Sequence, residues 1–110
     1  MAWTEAGNDG VLNGAADVTL VAVPGAGVRR IVRSITIHND TGGPITLTVQ
    51  LKSTGPADRI MFTGVVADGD TWQSQDHFPL VILDDTDKSM EAYLGGAGTP
   101  DFVAAYADSS

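Results

Sequence analysis

The chain has 110 residues, room for one domain built around one core. Its fourteen Asp and Glu against six Lys and Arg leave a net charge of −8, which argues against nucleic acid and against anionic membrane surfaces as partners, since both select cationic faces. With no cysteine there is neither a disulfide framework nor a thiolate metal site, and no stretch approaches the roughly 20 apolar residues a membrane helix needs.

Residues 1–16 mix Gly, Asn and Ala with isolated apolar side chains and read as an extended N-terminal arm with room for one short strand. They carry no basic residue and no apolar run, so a secretory signal is not expected there. Trp3 stands out, because a large aromatic on an arm needs somewhere to dock, on its own domain or on a neighbour. From residue 17 the pattern becomes regular. Residues 18–23 form a β-rich run closed by Pro24-Gly25-Ala26-Gly27, a tight-turn sequence. Residues 28–38 make a long β-branched strand with a break in phase. In strict alternation Ile31, Ile35 and Ile37 share a face with Arg33, while Val32 lies opposite; a β-bulge near Arg33-Ser34, or burial on both faces, accounts for it.

After the turn formers Asn39 to Pro44, residues 45–52 alternate apolar and polar without a slip, which buries Ile45, Leu47, Val49 and Leu51 and shows Thr46, Thr48, Gln50 and Lys52 to water. A turn over 53–58 leads to a strand at 59–66, and the Asp68-Gly69 hairpin signal to another at 71–75. Residues 78–83 are short and apolar, with Pro79 forcing an edge or first position. Strands at 89–94 and 102–106 follow, across the turn sequences 84–88 and 95–101, and residues 108–110 read as a disordered tail. Short strands, frequent turns and no helical period specify an all-β fold: an antiparallel β-sandwich, jelly-roll-like, of about eight strands over residues 17–107.

Candidate chemistry is sparse. His38 and His77 lie in separate turns without a second His at ligand spacing and are read as surface residues. Asp84, Asp85 and Asp87 offer carboxylates to a hard cation such as calcium, but lack EF-hand spacing, are followed by Lys88, and equally serve a turn. No nucleophile elbow, P-loop or dinucleotide motif occurs, so neither an enzyme nor a cofactor is expected. Trp3, Trp72 and Phe78 could stack on sugars, although core or interface filling is the commoner fate of such residues. Arg29, Arg30 and Arg33 gather half the positive charge within five residues; on an acidic chain they are ion-pair donors, within the chain or to a like subunit.

The run from Val18 through the Val23-Pro24-Gly25-Ala26-Gly27 turn and the basic strand to Asn39 resembles a passage of small β-sandwich virion proteins of tailed bacteriophages. The resemblance continues in 45–51, 80–84, 89–92 and 101–106. It implies a non-enzymatic virion protein, most simply a capsid decoration or cement protein that stabilises the shell of the major capsid protein. Trp3, Arg29, Arg30 and Arg33 are then the candidate interface, and a homo-oligomer, a trimer by preference, is expected. The alternatives are a tail, neck or fibre-base protein and, from another class, a carbohydrate-binding module.

Overall fold

The computed structural model describes residues 3–53, 58–78, 80–84 and 86–109. It is an all-β antiparallel sandwich of nine strands: β1 (Trp3–Val11), β2 (Val18–Val21), β3 (Arg29–His38), β4 (Ile45–Ser53), β5 (Arg59–Val66), β6 (Thr71–Gln73), β7 (Val81–Asp84), β8 (Lys88–Leu94) and β9 (Asp101–Ser109). One sheet runs β1-β9-β3, with β6 and β7 sharing the far edge of β3, and the other runs β2-β8-β4-β5. Set aside β7 and, apart from the β4–β5 hairpin within one sheet, consecutive strands alternate between layers as in a jelly roll, which matches the expected class.

Strand β4 follows its alternation on the core side up to Val49, but Leu51 is only half-buried, and Thr48 and Gln50, expected in water, are buried as well. Ile45, Leu47 and Val49 are buried and meet Leu12, Leu20, Ile35, Ile37, Leu83, Met90 and Leu94 from both sheets in one core. The phase break in β3 is a bulge. Val32 pairs with Tyr106 and Ser34 with Ala105, so Arg33 is the extra residue. Val32 points inward before it, Ile35 and Ile37 after it, and Arg33 stays exposed.

Two expectations are corrected. Residues 3–11, read as an arm, form β1, paired along its whole length with β9 from Trp3↔Ser109 to Val11↔Asp101. Asp108 and Ser109, read as tail, belong to β9, so sheet lies on both sides of the expected 17–107 limits. The composition of β1 hid this, because its nine residues are all exposed and only backbone pairing places them in the sheet. Pro79, Asp85 and the turn residues Thr54 to Ala57 lie outside the described residues.

The far edge of the first sheet is divided. β7 pairs with residues 29–32 of β3, and β6 with residues 36–38. In the gap the buried Ser74 hydroxyl accepts the Ile35 N–H at 2.9 Å, standing in for a missing strand. Ser74→Ala strands that buried donor and is expected to cost about 2 kcal/mol. Denaturant unfolding should show a lower midpoint at unchanged slope, and a loss below about 0.5 kcal/mol would refute the substitute-bond reading.

Candidate interaction face

Register assigns the faces. On the outside of the first sheet one row reads Trp3, Ser109, Arg29, Asp84, and the next reads Glu5, Ala107, Ile31, Ile82. Beyond the bulge come Gly7, Ala105 and Ser34, then Asp9, Val103 and Thr36. Small residues along the middle keep this surface flat. Large apolar groups stand out from it: Trp3 is 44% exposed, Ile82 51% and Val103 58%. Trp3 and Ile82 lie on the strands at the two edges of this face and Val103 on a strand between them, and exposed large apolar groups set among charged ones are a feature of protein contacts.

Of the four expected interface residues, three share this face and one does not. Trp3 and Arg29 lie in the same row, with Ser109 between them, and Arg33 projects at the bulge. Arg30 points between the sheets. Its Nε and Nη2 donate to the two carboxylate oxygens of Asp108 at 2.7 and 3.0 Å, and its Nη1 donates to the Ala22 carbonyl at 2.8 Å. The guanidinium also lies 4.2 Å from the centre of the Tyr106 ring. The hydrogen-bonded pairing with Asp108 raises the Arg30 pKa, and burial opposes it.

Arg29 pairs with Asp84 at 3.0 Å on the open face. Such an exposed pair adds little to stability. Lys52 is ringed by Asp17, Asp58 and Glu91 at 3.6–3.8 Å, and the field of these acids, Glu91 first, raises its pKa. Lys88 meets Asp87 at 3.1 Å. Among the described residues, Arg33 and Arg59 are the cations without an ion pair.

The other candidates fall into structural roles. His38 Nδ1 hydrogen-bonds the Thr71 hydroxyl at 2.9 Å across the β3–β6 pair. His77 stacks on Trp72, with centroids 5.3 Å apart and planes within 7°, and also touches Phe62. Trp72 is only 4% exposed, so its faces are not open to a sugar ring. A cleft of about 170 Å³ beside this aromatic nest is lined by Asp70, Asp76 and His77 among others. Asp84 binds Arg29, while Asp87 meets Ser53 and Lys88, and Asp85 lies outside the described residues. Among the described residues no group of three or more metal-binding side chains converges, and no helix is long and apolar enough to cross a membrane.

Sequence reasoning missed Ile82 and Val103 as face residues. The alternation of β9 could have marked Val103, but the side on which Ile82 lies depends on its pairing with Ile31.

No protein-family model and no curated protein matches the chain. Solved structures do. A subunit of the Bacillus endospore appendages, a family of disulfide-linked pili, is 18% identical over 96% of this chain and 85% of its own, with a TM-score of 0.54. A chain of infectious bursal disease virus, Gx strain, is 10% identical over 97% of this chain, with a TM-score of 0.58. This chain spans 32% of that viral chain. The structure of PirA is 15% identical over 92% of both chains, with a TM-score of 0.51. At these identities the likeness is one of fold. The disulfide linkage of the pili has no counterpart here, since this chain has no cysteine.

Proposed function

We propose that this protein is a non-enzymatic structural subunit of a bacteriophage virion, a capsid decoration or cement protein that binds the shell formed by the major capsid protein. The observation that carries the reading is the flat outer face of the β1-β9-β3-β7 sheet, on which Trp3, Ile82 and Val103 stand exposed together with Arg33, which has no ion pair among the described residues. Trp3 is the apolar anchor and Arg33 the cation offered to an acidic partner, while Arg30 helps hold the subunit itself together and Arg29 is engaged by Asp84 on the same face. The fold it shares with subunits of a virus particle and of pili suits a protein that works in many copies. A tail, neck or fibre-base position is the second reading, favoured by the likeness to a filament subunit. A carbohydrate-binding module is disfavoured by the burial of Trp72.

Trp3→Ala removes the anchor from a strand that buries no side chain, so the thermal midpoint should stay within a few degrees of the parent. Loss of an aromatic anchor costs about 2 kcal/mol or more, roughly a thirty-fold weakening of particle binding. Titrating purified shells that lack the protein measures it. Unchanged occupancy with Trp3→Ala would count against this face, and imaging of intact particles separates head from tail by copy number.

A further inference from the structure

The sandwich has two long free edges. The far edge of β3 is split between three residues of β6 and four of β7, and β2 is a four-residue strand with a register shift. That leaves β1, nine residues, and β5, eight residues, each with one side of its backbone without a strand partner among the described residues. Asn8 of β1 donates to the Leu20 carbonyl of β2, while Phe62 of β5 contacts Trp72 of β6 at 5.2 Å. The two edges therefore lie on opposite sides of the molecule and in different layers.

They are also unlike in charge. β1 carries Glu5 and Asp9 and no cation. The only charged residue of β5 is Arg59, which has no ion pair among the described residues. Both edges bear exposed apolar groups: Trp3 and Val11 on β1, Ile60 (64% exposed) and Val65 (69%) on β5. Two β1 edges brought together would oppose acid to acid, whereas β1 against β5 matches charge and length.

We infer that β1 of one copy adds to the free edge of β5 of the next, joining copies of this chain head to tail through backbone hydrogen bonds. It rests on the reading of the protein as a repeating subunit. Antiparallel addition sets Trp3 beside Val65 and brings Asp9 to the Arg59 end; parallel addition would place Asp9 at the apolar end. Because the two edges differ, the contact is heterologous, and it closes a ring such as a trimer or grows further according to the rotation it imposes.

The test uses sedimentation velocity of the full chain over a range of concentrations. Ile60→Glu/Val65→Glu blocks β5 by setting acids against β1. For β1, neighbouring residues of a strand point their N–H groups to opposite sides, so of Glu5→Pro and Ala6→Pro one spares the β9 bonds. The variant that keeps the parent's thermal midpoint is the one to use. The parent chain is expected to form oligomers as concentration rises, and each blocked variant to stay monomeric. An equimolar mixture of the two should form a dimer and nothing larger, since one free β1 and one free β5 remain. A parent that stays monomeric at millimolar concentration, a blocked variant that still self-associates, or a mixture that does not pair would each overturn the inference. A monomeric parent that still decorates particles overturns edge pairing alone. Self-association without particle binding supports edge pairing and overturns the proposed function.

Discussion

Asn39→Ala should lower stability by about 3–4 kcal/mol, and the thermal midpoint by roughly 15 °C. The side chain is fully buried just beyond β3 and has all its hydrogen-bonding capacity in use. Its amide donates to the carbonyls of Gly43 at 2.8 Å and Val66 at 2.9 Å. Its oxygen accepts from the Thr41 N–H at 3.1 Å and the Thr41 hydroxyl at 2.7 Å. The Asn39 backbone pairs in turn with Gly69 and Asp70. One residue thus ties the β3–β4 loop to the end of β5 and to the β5–β6 turn. Truncation removes the tie and leaves carbonyls facing a gap. Asn39→Asp keeps the shape but replaces both donors with an acceptor, so it should be at least as damaging. Calorimetry on both variants decides it. A loss under 1 kcal/mol for Asn39→Ala would mean that solvent reaches these groups.

Arg30→Ala is expected to cost about 2–3 kcal/mol, less than the break of a fully buried pair because Asp108 keeps partial access to water. The guanidinium joins β3 and β9 of one sheet to the segment after β2 of the other, and it covers the Tyr106 ring. Arg30→Lys should recover less than half of the loss, since an ammonium group cannot fork onto Asp108 and reach Ala22 together. Chemical unfolding of the two variants gives the ordering. Equal stability of Arg30→Lys and the parent would show that charge alone matters here.

The sequence made most strands readable because their positions follow from local chemistry. The alternation of 45–52 and the turn formers around it need no tertiary information, and Ile45, Leu47 and Val49 are buried as predicted, whereas the burial of Thr48 and Gln50 on the opposite side was not readable from it. The clash of phase between Val32 and Ile35 announced the bulge. What stayed hidden depends on pairing across the chain. Strand β1 has Trp3, Thr4 and Val11 as its only strong β formers and becomes a strand because β9 offers it an edge. Arg29 and Arg30 look alike in the sequence. Their fates diverge because adjacent residues face opposite sides, and only register shows that Asp84 waits on one side and Asp108 on the other. The division of labour between β6 and β7, with Ser74 in the gap, has no local signal.

The pairing of Trp3 with Ser109 means that whatever precedes the one and whatever follows the other leave the sandwich from a single corner. A tag, label or guest domain attached on either side would be displayed at the same spot, next to Arg29 and Asp84. A short linker between the two would close the polypeptide into a circle without disturbing a strand.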